Sequence, residues 1–115
     1  MKMWLTGDKA IEDKLQVFLG NIIEGGEMSF PQTCPVCKEE NNIHLYFNRS
    51  KVSRVGGVWV WCGKCKHYFH GSFIPPIWWT NLECIPQEKL ESAPCFLNSI
   101  SIDIDSHINQ LLRIR

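Results

Sequence analysis

The chain has 115 residues, 44% of them hydrophobic and 21% charged, with a formal net charge of +0 and a pI near 6.9. That length and apolar content fit one folded domain with a modest core, not a disordered chain, and neutrality argues against a general nucleic-acid binder with a strong basic excess. No apolar run precedes Asp8 and no stretch approaches the ~20 apolar residues of a membrane span, so a cytoplasmic chain with no membrane partner is expected.

In chain order, the first predicted element is a helix over about 8–24. Ile11, Leu15, Phe18, Leu19, Ile22 and Ile23 recur at helical spacing and form one apolar stripe. Thr6 or Asp8 can cap its start, and Gly25-Gly26 is the expected stop. Strands follow. Ile43, Leu45 and Phe47 alternate with His44, Tyr46 and Asn48. A polar loop, Asn48 to Arg54, leads to Gly56-Gly57, which reads as a turn. Val58-Trp59-Val60-Trp61 is a second strand and about His67 to Ile74 a third, stopped by Pro75-Pro76. Pro86 to Glu91 reads as a short helix. A final amphipathic helix over about 103–114 carries Ile104, Ile108, Leu111 and Leu112 on one face, with Asp103 or Asp105 as its cap. The sum is a small α+β domain over residues 1–115: a three-stranded antiparallel sheet, core about 30–75, flanked by N-terminal and C-terminal amphipathic helices.

The chemistry sits in Cys34-Pro35-Val36-Cys37 and Cys62-Gly63-Lys64-Cys65, two C-x-x-C pairs separated by 24 residues. In a cytoplasmic chain six cysteines are metal ligands or free thiols before they are disulfides. Paired C-x-x-C turns are what a tetrahedral four-cysteine site requires. With every ligand position filled by protein, the expected cofactor is one structural Zn²⁺; iron suits the same donors. Pro35 is expected to fix φ in the first turn and Gly63 to permit the second. A thioredoxin-like redox reading of Cys34 and Cys37 lacks the βαβ pattern that it needs.

Residues Cys34 to about His70 resemble the zinc-ribbon class: a C-P-x-C knuckle, a strand hairpin and a C-G-x-C knuckle. The whole chain is similar to small stand-alone bacterial zinc-ribbon proteins, some of which look like immunity proteins paired with polymorphic or contact-dependent toxins. That second resemblance rests on size, the isolated domain and the segment from Val58-Trp59-Val60-Trp61-Cys62 to Pro75-Pro76-Ile77-Trp78-Trp79. It implies a protein partner, a toxin domain that the chain would neutralise.

Candidate partner-binding residues are the loop cations Arg49, Lys51 and Arg54 and the aromatics Trp59, Trp61, Trp78 and Trp79. The rings form a binding hot spot or a base-stacking platform if exposed, and ordinary core if the terminal helices cover them. Charge is arranged in blocks: Cys34 to His70 carries six bases against two acids, a net of +4, and each flank carries −2. The acidic flanks, with Glu24, Glu27, Glu83, Glu88 and Glu91, suit a basic protein surface. The alternative is a nucleic-acid-binding ribbon that uses Arg49, Lys51, Arg54 and Lys64. His67 and His70 read as ordinary strand residues, and Cys84 and Cys95 as two small buried residues. No G-x-S-x-G, H-E-x-x-H, phosphate loop or deaminase pattern is present, so the expected function is non-catalytic. An enzyme built on Cys84 or Cys95 ranks last, since either thiol would need a positioned base.

Overall fold

Residue 8 starts the first helix because its carboxylate stands in for a missing backbone partner: in the computed structural model, which describes residues 3–24 and 29–114, Asp8 Oδ1 accepts the Ile11 N–H at 3.2 Å. Glu12 reaches back to the Gly7 N–H and the Thr6 hydroxyl, closing the same end. The helix α1 (Lys9–Ile23) buries Leu15, Leu19 and Ile22 and half-buries Ile11, Phe18 and Ile23. Gly25 and Gly26, the expected stop, lie outside the described residues.

The alternating segment forms β1 (Ile43–Asn48), which pairs antiparallel with β2 (Gly56–Cys62); β2 pairs antiparallel with β3 (Tyr68–Phe73). The sheet order is β1-β2-β3. The fold is therefore α+β, with a three-stranded antiparallel meander and a helix near each end. Gly56 and Gly57 are strand residues and not a turn. A Cβ on Gly56 would lie 2.1 Å from the Asn48 carbonyl oxygen, so glycine is required for the close approach of two backbones at the hairpin mouth. Leu5 adds a short parallel bridge to His67, bonding to Lys66 O and Tyr68 N.

Directly paired strand residues share a face. One face thus carries His44, Tyr46, Trp59, Trp61, Tyr68 and His70, and the other Ile43, Leu45, Phe47, Val58, Val60 and Phe69. The chain between β3 and the last helix closes over the aromatic face. The Trp59 indole donates to Glu91 O at 2.8 Å, the Trp61 indole to Asn98 Oδ1 at 3.1 Å, and the Leu82 N–H to the Tyr46 hydroxyl at 3.2 Å. Trp79 meets Tyr46 of this face and Phe47 of the other edge-on, each ring centroid 5.2 Å away, and so wraps the β1 edge. A 3-10 turn at Gln87–Lys89 follows Pro86, as the sequence predicts.

A short helix absent from the sequence reading, α2 (Cys95–Ser99), follows Pro94, and α3 (Ser101–Ile114) begins two residues earlier than expected. Asp103 lies in its first turn, but Asp105 does not cap it. Asp105 is buried in mid-helix beside Ile104 and Ile108. The helix α1 contacts β3, and α3 contacts β1.

Candidate metal centre and neighbouring cleft

Both C-x-x-C segments fold into the same turn. In the first, the Cys34 carbonyl accepts the Lys38 N–H at 3.0 Å, and Cys34 Sγ faces the Val36 and Cys37 N–H groups at 3.3 and 3.5 Å. In the second, the Cys62 carbonyl accepts the Lys66 N–H at 3.1 Å, and Cys62 Sγ faces the Lys64 and Cys65 N–H groups at 3.3 and 3.4 Å. The chain leaves each turn through a left-handed residue, Lys38 at φ 67° and Lys66 at φ 66°. Positive φ therefore falls on the two lysines and not on Gly63, which corrects the expected role of that glycine.

The ladder brings the turns together. The Gln32 N–H and C=O bond to Ile43, and Ile43 pairs with Cys62, so the first turn is carried to the end of β2. The sulfurs of Cys34, Cys37, Cys62 and Cys65 all lie within 4.8 Å of one another. The Cys34–Cys65 and Cys37–Cys62 separations are 3.9 and 3.7 Å. A disulfide needs about 2.05 Å. A tetrahedron with metal–sulfur bonds of about 2.3 Å has edges of about 3.8 Å, which is what these pairs show. The four cysteines are thus arranged to hold one metal ion. A hydrogen bond to Cys62 and burial push the Cys34 thiol up to about 12; the same hydrogen bond lowers Cys62, and burial raises Cys65. Turn N–H groups favour thiolate, but burial opposes it, so four thiolates here need a cation between them.

Neither His67 nor His70 joins the four-sulfur group with its ring, although the His67 backbone bonds to Cys65 and lowers its thiol. His70 stacks on Trp59, with centroids 4.4 Å apart, and its Nδ1 lies 3.1 Å from the Val58 carbonyl. Cys84 and Cys95 are exposed, not buried. Their neighbours Ile85 and Leu97 enter the core instead.

The proposed aromatic binding surface is corrected by the fold. Trp59, Trp61 and Trp79 are 4%, 0% and 1% exposed and belong to the core, and Trp78 is half-buried against it. Burial of Trp59, Trp61 and Trp79 leaves no indole N–H unpaired, since these find acceptors in Glu91 O, Asn98 Oδ1 and Asn81 Oδ1. Arg49 is half-buried too. Its Nη2 donates to Pro76 O at 2.6 Å and Trp79 O at 3.1 Å, so it ties the segment after β3 to the end of β1. Lys51 and Arg54 are exposed on the hairpin loop, together with Glu83, Glu88 and Glu91 elsewhere on the surface.

Sequence reading missed a buried pair: His44 Nδ1 and Asp105 Oδ1 are 2.8 Å apart, each residue 7% exposed. The only trace in the sequence is an Asp on the apolar stripe of the last helix and a His in an apolar strand. The pair lines a cleft of about 670 Å³ beside the second cysteine turn. Among the described residues no helix is long and apolar enough to cross a membrane. No family model matches the chain, and no curated protein or solved structure matches it. The resemblance to immunity proteins therefore stands on the sequence segments alone.

Proposed function

We propose that the chain is a cytoplasmic, non-catalytic binding module in which Cys34, Cys37, Cys62 and Cys65 hold one structural Zn²⁺. The observation that carries this reading is the closed set of four sulfurs within 4.8 Å. Four protein ligands leave no open position for an activated water, and thiolates in tetrahedral array suit zinc. The metal then locks the hairpin end of the sheet and, through it, the shape of the surface.

A protein is the partner this reading favours, and an immunity protein that covers a cognate toxin is its most specific form. Glu83, Glu88 and Glu91 are exposed on the segment that closes the aromatic face, where they suit a basic active site. The second reading is a nucleic-acid-binding ribbon, favoured by Lys51, Arg54 and Lys64, which are all exposed. The test is capture of partners by the zinc-loaded chain from its native lysate, with and without nuclease. A stoichiometric protein that survives nuclease supports the first reading, and one carrying a toxin domain supports immunity. Recovery of nucleic acid, lost steeply as salt rises, would replace it with the second.

A further inference from the structure

The polar flank of α3, with Asp105, Ser106, Asn109, Gln110 and Arg113, forms one wall of the 670 Å³ cleft. Asn42, Gly63 and Asn98 close the other side. This volume falls in the range of small-molecule sites, about 300–1,000 Å³. The cleft is held open from several directions. Asn109 bonds to both the N–H and the C=O of Phe30, at 2.7 and 2.8 Å, and so fixes the Phe30–Pro31 edge to α3. The Gly63 N–H donates to Asn42 O at 2.9 Å, which fixes the second cysteine turn to the opposite edge.

The hydrogen bonds already made decide what the cleft can offer. Asn98 Oδ1 is committed to the Trp61 indole, which can only donate, so the two Nδ2 hydrogens of Asn98 remain for a ligand. Asn42 Nδ2 is committed to Glu40 O at 2.8 Å, so its Oδ1 remains as an acceptor. The two amides flank Gly63. A Cβ there would lie 3.4 Å from Asn98 Oδ1 and 3.8 Å from Asn42 Oδ1, so glycine keeps a flat gap between them. His44 Nδ1 is bonded to Asp105, and the ring rests 5.5 Å from Trp61, which leaves Nε2 as the nitrogen free to meet a ligand. Arg113 adds an exposed guanidinium at the end of the α3 wall.

Buried His–Asp pairs add little net stability compared with an apolar pair of the same volume. Here such a pair, nine-tenths buried, stands at a cleft that also presents an amide donor, an amide acceptor and a cation. A planar edge with both a donor and an acceptor, joined to an anionic group, complements that set. Side-chain amides read nucleobase edges in this way, and a guanidinium grips phosphate. We infer that the cleft beside the second cysteine turn binds a nucleoside phosphate, with its base edge at Asn98, Asn42 and His44 Nε2 and its phosphate at Arg113. The site is independent of the macromolecular partner proposed above, and Gly63 of the second cysteine turn lines it.

The test is an NMR titration of the metal-loaded full chain with AMP, GMP, CMP and UMP, with ribose 5-phosphate and inorganic phosphate as controls. Saturable shifts of the Asn98 side-chain amide and the His44 ring are expected, with one nucleotide binding at least about tenfold tighter than ribose 5-phosphate, the discrimination of one good base contact. Arg113→Gln should weaken that nucleotide about tenfold, as loss of a charge-assisted phosphate contact does, with the thermal midpoint unchanged. Asn98→Asp keeps an oxygen for Trp61 but removes both Nδ2 donors, and should abolish selectivity. A 5′-phosphorylated dinucleotide that binds tighter than the mononucleotide would identify the end of a strand as the natural source; equal or weaker binding identifies the free nucleotide. The proposal is overturned if no nucleotide gives saturable shifts at millimolar concentration. It is equally overturned if inorganic phosphate binds as tightly, or if the shifts fall on the Lys51–Arg54 loop and ignore Arg113→Gln.

Discussion

Lys38 and Lys66 each follow a second cysteine and each adopt a left-handed backbone, at φ 67° and 66°. A β-branched side chain suffers most there, and glycine least. Lys38→Ile should therefore lower stability in urea unfolding, while Lys38→Gly, which removes a Cβ penalty of about 1–2 kcal/mol, should be tolerated and keep full metal content. Asp105 presents a different kind of residue-scale constraint. Asp105→Ala strips the acceptor from a His44 nitrogen in a site 7% exposed, and should cost about 1–3 kcal/mol. Arg49 and Lys51 differ by two positions in sequence but not by two degrees of the same role. Arg49→Ala removes donors from the Pro76 and Trp79 carbonyls and should destabilise by about 1.5–3 kcal/mol. Lys51→Ala, on the exposed loop, should stay within about 0.5 kcal/mol. Equal losses for the two variants would refute the assignment of Arg49 to structure.

At the scale of elements, the strand pattern was legible and the covering of the strands was not. Alternation placed β1, because a period of two is written into the side chains themselves, and Cys65 with the Pro75-Pro76 stop bracketed β3 to within about a residue. The same alternation put Trp59 and Trp61 on one face but carried no information on what lies over that face. The cover comes from Trp79, Leu82, Glu91 and Asn98, none of which shows helical or strand periodicity that could be projected onto the sheet. Tyr46 reports on this cover. Burial raises its phenol from 10.0 to about 12, partly offset by the Leu82 N–H. Below pH 10 the phenol is neutral in folded and unfolded chains alike, so its contribution is constant. Between pH 10 and about 12 the unfolded phenol ionises and the folded one does not, so stability falls as pH rises through that window. Unfolding midpoints measured from pH 9 to pH 11.5 should drop less for Tyr46→Phe than for the parent chain. Parallel curves would show that the cover leaves Tyr46 accessible.

For the whole molecule the cysteine centre and the core act together. The chain is short, and a structural metal in such a domain contributes about 10–16 kcal/mol of apparent binding free energy, comparable to its entire stability. Chelator treatment should therefore abolish the cooperative unfolding transition, with near-ultraviolet dichroism of the buried Trp61 and Trp79 lost and restored on adding Zn²⁺. Cys34→Ser should lower retained metal from one equivalent to near zero under the same chelator. A chain that keeps both its metal and its transition would remove the centre from its structural role.

The sequence by itself determined the cysteine turns, the antiparallel meander and the two long amphipathic helices, because each depends on residues within a few positions of one another. Cys34 and Cys37 define one turn wherever the rest of the chain goes, and a second identical turn 24 residues later has few other uses. Tertiary structure alone decided which surfaces remain. It withdrew Trp59, Trp61 and Trp79 into the core, turned Arg49 inward, left Cys84 and Cys95 exposed, and set His44 against Asp105 across 61 positions of sequence. For Trp59, Trp61, Arg49 and the His44–Asp105 pair the physical reason is the same. A hydrogen bond between distant segments satisfies a buried polar group only after the fold has brought the segments together, and no local pattern encodes that meeting.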